Sequence, residues 1–262
     1  MTWPIDKIVY GSYRYFLRAV GRKLGYGGNY DSWTREQTEI ANDVVQRGVR
    51  RFYAPTRLDG KKYAHEWGFL RPLRTLTMES GKYAYDLPAD FSALDGPITY
   101  MPDQSVLYQP IEIVPIHQVN YRRLDTSSTG RPSIAALVAK DIPGFYEIHF
   151  WLTPDDDYVV QYPCKLRPLD LSDSNPMPFG GPEHTLTILE SCLQEAEIEL
   201  GLKESVHEDR FLERLGTSIS IDQKLNSPQT VGRNIDRSDV AEDPYSYHDL
   251  SENTVTYNGV SY

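Results

Sequence analysis

The stretch HEWGFLRPL, residues 65–73, sets an acid and a base beside a cation. His65 could shuttle a proton, Glu66 could serve as acid or base, and Arg71 could clamp an anion. The same nine residues carry Trp67, Phe69 and Leu70, with Pro72 after Arg71. Large apolar side chains in that order fit a chain leaving a loop for a core. A residue before proline avoids the helical region, so Arg71 is expected to be extended. Read this way, Trp67, Phe69, Leu70 and Pro72 mark a junction between two parts of the fold, not a catalytic cluster.

Other residues with chemical potential are scattered. HEWGF lacks the second histidine of a zinc-protease helix. The histidines at 65, 117, 149, 184, 207 and 248 show no ligand spacing, and each reads as a surface or packing residue. Asp155, Asp156 and Asp157 lack the alternation and glycine of a calcium loop and read as a turn. Glu195, Glu197 and Glu199 read as a solvated helix face. No nucleophile elbow or phosphate loop is present, and GYGGN (25–29) is not a dinucleotide fingerprint. No catalytic, cofactor or metal site is therefore expected. Cys164 and Cys192 stand in apolar contexts and are expected to be buried, reduced thiols in a cytosolic setting.

The elements that would position these residues follow from periodicity. Ile5, Ile8, Val9, Phe16, Leu17, Val20 and Leu24 give a basic amphipathic helix that packs on its own protein. Thr34 with Gln37 is a capping box, opening a second helix whose Ile40, Val44, Val45, Val49 and Phe52 share a face and which Pro55 stops. From 66 to 179 the period is two. YEIHFWL (146–152) and YVVQY (158–162), around TPDDD, read as a hairpin. Prolines between short strands suit an antiparallel sandwich or small barrel. After Pro182, Leu186, Leu189, Leu193, Ala196 and Leu200 share one helix face; Val206, Phe211, Leu212, Leu215 and Ile219 form another helix.

The expected fold is α+β: a discontinuous helical bundle from both ends of the chain (1–65 and 180–225), an inserted antiparallel β-sandwich or barrel-like domain (66–179) and an extended C-terminal tail (226–262). In that tail Arg233, Asp236, Tyr245, Tyr247, Tyr257 and Tyr262 are candidates for contacts with other subunits. Tyrosine is abundant, 19 residues against 8 phenylalanines, and suits interfaces.

Net charge is −10, which disfavours wrapping nucleic acid through phosphates. Charge is uneven: residues 1–30 are basic and residues 226–262 acidic; opposite ends could meet between copies, but from charge alone two solvated termini are the favoured reading. No run reaches the ~18 apolar residues of a membrane span, and the opening MTWPIDKIVYGSYRYF lacks a signal peptide's apolar centre.

Several segments in order, RGVRRFYAP (47–55), WGFLRP (67–72), YDLPADF (85–91), LRPLDLSDSNPMPFGGPEH (166–184) and DRFLERLGTSISIDQKLNSPQTVGRNIDRSD (209–239), resemble the head-to-tail adaptor (connector) proteins of tailed bacteriophages. The resemblance spans roughly residues 1–240. It implies a mixed helical and β protomer and no catalysis. It implies a ring, commonly of twelve copies, docked on the portal protein and offering a platform to tail or nozzle proteins. Such a protein sits in the virion neck, assembles in the host cytoplasm, and lets double-stranded DNA pass without specific binding; no membrane is involved. It also implies that the tail meets other subunits or the portal. The β region is longer than in the shortest family members. Rival readings are another neck or tail-completion protein, a carbohydrate- or receptor-binding β module, and an enzyme with a dispersed site.

Overall fold

The chain's first described helix begins where a side chain satisfies its orphan amides. Ser12 accepts from the Tyr15 N–H and opens α1 (Tyr13–Lys23), which buries Phe16, Leu17 and Val20. The computed structural model describes residues 9–55, 65–101, 108–124, 128–142, 144–202, 205–226, 256–257 and 260–261. Ile5 and Ile8, expected in this helix, lie outside the described residues, and Val9 precedes the helix. The capping box forms as expected: Thr34 Oγ1 accepts from Gln37 N–H and Gln37 Oε1 accepts from Thr34 N–H. It opens α2 (Arg35–Tyr53), which ends two residues before Pro55 and buries Val44, Val45, Val49 and Phe52.

The middle of the chain forms β1 (Leu73–Met78), β2 (Ala84–Asp86), β3 (Phe91–Leu94), β4 (Thr99–Tyr100), β5 (Glu112–Ile113), a helix α3 (Ile116–Arg122), β6 (Ile134–Ala139), β7 (Tyr146–Trp151) and β8 (Tyr158–Leu166). One sheet runs β1-β8-β3, with β4 also on β8; the other runs β2-β7-β6-β5. Phe91, Val160 and Tyr162 from the first sheet and Tyr85, Ile148 and Phe150 from the second share one apolar cluster. Ile148 and Phe150 are buried while Glu147 and His149 are less so, as the period of two requires.

Two expectations need correction here. The hairpin expected from 146–152 and 158–162 does not form: β7 pairs with β2 and β6, and β8 pairs with β1, β3 and β4. Alternation specifies a strand but not its partner, and the connection is long enough to carry the chain between sheets. The three acids do make a turn, with Asp157 Oδ1 accepting from Ser80 N–H and Asp155 Oδ1 from Tyr158 O–H. The sheets are also not wholly antiparallel: Glu112 and Ile113 of β5 pair parallel with Ile134 and Ala135 of β6. Helix α3, unforeseen in the sequence, lies between these strands and returns the chain in the same direction. It seats Val119 on Ile134 and Ala136, beside Ile116 and Trp151.

Two helices close the core, α4 (Thr185–Glu199) and α5 (Val206–Asn226). The leucine face expected for α4 is buried only in part. Ala196 of that face is buried and Leu189 packs on the core, but Leu186 and Leu200 are exposed, and Ile188 and Cys192 are buried instead. Helix α4 packs against α1, α2 and α5 together, so most of its circumference is covered and small polar residues are wanted where backbones approach. Ser191 accordingly donates to the Gly48 carbonyl at 2.8 Å. On α5, Phe211, Leu215 and Ile219 are buried but Val206 and Leu212 are exposed. One apolar cluster unites α1, α2, α4 and α5 with Trp67 and Leu171.

Residues 1–226 form one compact unit and residues 227–262 a second. Of the second, β9 (Thr256–Tyr257) and β10 (Val260–Ser261) pair antiparallel. Arg233, Asp236, Tyr245, Tyr247 and Tyr262 lie outside the described residues.

Candidate functional site

The end of α2 supplies Phe52 and Tyr53 to the junction. Trp67 lies over Phe52 with ring centroids 4.6 Å apart and donates its indole N–H to the Phe52 carbonyl at 3.0 Å. Phe69 stacks 5.1 Å from Trp67, and the buried His184 ring lies 5.3–5.7 Å from Phe69, Trp67 and Phe52. Aromatic rings in tilted and edge contacts add attraction beyond the area they bury. Burial holds the His184 imidazole below the ordinary histidine range, against the pull of Asp222 and Glu183. Leu70 packs on both the helical and the β apolar clusters. The Pro72 carbonyl accepts from the Cys164 amide at 3.1 Å, tying the start of β1 to β8.

The polar residues of HEWGFLRPL face three different partners. His65 Nε2 lies 2.8 Å from Asp222 Oδ2. Glu66 is exposed and pairs with Lys165 at 2.9 Å; Lys165 holds its carboxyl below the ordinary range. Arg71 Nε donates to Asp95 Oδ2 at 2.6 Å. Arg71 Nη1 also lies 3.9 Å from Glu66 Oε2, so the acid and the cation share one surface ion-pair chain while His65 faces Asp222. The structure brings Trp67, Phe69 and His65 to the foot of α5, and Pro72 to the edge of the first sheet.

Segments far apart in sequence meet around this junction. Arg50 makes a two-pronged contact with Asp170 at 2.7 and 2.8 Å. Gln46 Nε2 donates to the Leu171 carbonyl at 2.7 Å, and Leu171 N–H donates back to Gln46 Oε1 at 3.0 Å. Tyr53 Oη accepts from Phe179 N–H at 2.7 Å, and burial pushes its phenol well up. Gly180 and Gly181, both at positive φ, turn the chain into α4 beside Phe69 and His184. The segments 47–55, 67–72 and 166–184 therefore form one packed unit.

A second polar network fastens the helices. Glu197, expected to be solvated, is only 3% exposed: Lys23 Nζ reaches it at 2.7 Å and Ser205 Oγ at 2.6 Å. Burial raises its carboxyl, but those donors and the His207 amide outweigh it, leaving it below the ordinary range. His207 Nδ1 lies 2.6 Å from Glu190, and Arg47 and Arg51 both reach Glu195. Asp222 and Glu190 did not stand out in the sequence, and His207 read there as a surface or packing residue. Asp222 had a signal: it continues the Phe211–Leu215–Ser218–Ile219 face, where a carboxylate must have buried partners. Both thiols are free and buried, and burial raises both. Among the described residues no group of three or more acids, histidines or cysteines is gathered to hold a metal.

A family model for SU10 adaptor protein matches residues 12–232. The chain belongs to that family. The match contains 47–55, 67–72 and 166–184, the segments that pack at the junction, and it stops before Arg233. The protein is a phage adaptor, a structural class, and membership implies contact with other phage structural proteins at the virion neck. None of the curated proteins matches the chain. No described helix is long and apolar enough to cross a membrane.

Proposed function

We propose that this adaptor forms a ring of twelve copies beneath the portal, joins capsid to tail or nozzle, and lets double-stranded DNA pass. The observation that carries this reading is the family match across 12–232. The net charge of −10 supports it, because an acidic ring repels phosphate and the genome slides without sticking. In this reading residues 1–65 and 180–225 are one helical half, 66–179 is the β half, and Trp67, Phe69, Leu70 and Pro72 fix one against the other. The tail, with Arg233, Asp236, Tyr245, Tyr247, Tyr257 and Tyr262, orders against other subunits or the portal. The adaptor has no catalytic role and assembles in the host cytoplasm.

Imaging of the neck in purified virions tests the reading. Twelvefold density for this chain next to the portal, with Asp and Glu in surplus along the lumen, is the expected result. Its absence from the neck, another copy number or a basic lumen overturns the corresponding part.

A further inference from the structure

The face built by α3, β5 and the turn into β6 gathers arginines on aromatic rings. Several arginines elsewhere meet acids, as in Arg14–Asp173 at 2.7 Å, Arg50–Asp170 at 2.7 Å and Arg74–Asp90 at 2.6 Å. Here Arg122, Arg123 and Arg131 have no carboxylate partner among the described residues and lie on aromatic rings instead. Arg122 sits 4.9 Å over Trp151, Arg123 3.1 Å over Tyr83, and Arg131 3.8 Å over Tyr108. Stacking fixes a guanidinium's plane while leaving its edge N–H groups for an incoming acceptor. Arg122 and Arg131 are exposed and border a groove of about 720 Å³ with Tyr108, Pro110 and Ser133. Tyr121 and Leu124, neighbours of Arg122 and Arg123 in the chain, are 76% and 78% exposed and add apolar area. Among the described residues, Glu112 is the acid on its wall. In a chain of net charge −10, such a cationic and aromatic surface, without a carboxylate partner for its arginines among the described residues, calls for an acidic, aromatic occupant.

The chain itself contains that chemistry. Residues 236–252 carry Asp236, Asp239, Glu242, Asp243, Asp249 and Glu252 against Arg237, with Tyr245 and Tyr247 among them. Residues 227–262 follow α5, and a segment of that length spans up to roughly 120 Å when extended, enough to pass from one protomer to the next. We propose that the Arg122–Arg131 groove receives residues 236–252 of a neighbouring copy of this chain. Carboxylates meet the guanidinium edges in charge-assisted hydrogen bonds, and the tail tyrosines cover Tyr121 and Leu124. The inference rests on the reading that copies stand side by side, and it adds the surface through which they engage.

The test co-expresses two full-length variants, Ser133→Cys at the groove and Ser246→Cys in the tail, assembles them on portal and oxidises them. Cys164 and Cys192 are buried and stay out of the reaction. The expected product is a disulfide-linked pair containing one of each variant. Arg122→Glu with Arg131→Glu should lower its yield at least tenfold, with circular dichroism unchanged, and Glu242→Arg with Asp243→Arg should restore it. Absence of mixed pairs, or a yield indifferent to charge reversal, overturns the proposal. So does duplex DNA retained by the wild type and released by the arginine variant. A ring that forms normally without mixed pairs removes this contact and leaves the ring reading standing; no ring from the wild type removes the latter.

Discussion

Asp222, near the end of α5, lies 2.8 Å from His65 Nε2 and accepts the Gly68 amide at 3.0 Å. One carboxylate therefore holds both sides of the bend that brings Trp67 into the helical core. Asp222→Ala leaves a partly buried amide unpaired, which costs about 1–3 kcal/mol. Asp222→Asn keeps an acceptor for Gly68 and should cost less. Urea denaturation compares them; equal, negligible losses would show that the bend does not depend on this residue.

Gly48 on α2 faces α4 at close range. A Cβ there would stand 2.5 Å from Cys192 Cα, a backbone atom that cannot swing aside. Gly48→Ala should therefore destabilise by roughly 1–3 kcal/mol, although alanine is the better helix former. A thermal midpoint at or above the wild type's would contradict the tight crossing.

Acid should loosen the helical part through Glu197. Its folded carboxyl lies below the ordinary 4.5, so its stabilisation is complete above that value and fades as pH falls through the folded value. Glu197→Gln should be less stable at neutral pH and show a shallower decline into acid. Parallel stability–pH curves for the two proteins would refute this assignment.

Removing residues 227–262 should leave the compact unit of residues 1–226 folded while weakening assembly. The truncated chain should give a cooperative unfolding transition close to the full-length protein's. Its incorporation onto portal should fall at least tenfold. Equal incorporation would reject the assembly role of the tail.

Much of the local structure was legible in the sequence because its causes are local. Thr34 and Gln37 cap α2 whatever lies beyond it, and the period of two at 146–152 buries Ile148 and Phe150. Trp67, Phe69 and Leu70 stood out by size and by their place beside Pro72. Tertiary structure decided what depends on partners. It sent β7 and β8 to different sheets, made β5 run parallel to β6, and turned Leu186 and Leu200 outward. It placed Asp222 under His65, 157 residues away in sequence, and left Arg122 and Arg131 on aromatic rings, with no carboxylate partner among the described residues. Periodicity records which face of an element is apolar; pairing and burial are settled only when distant elements compete for the same surface, and that competition has no signature in any one stretch of chain.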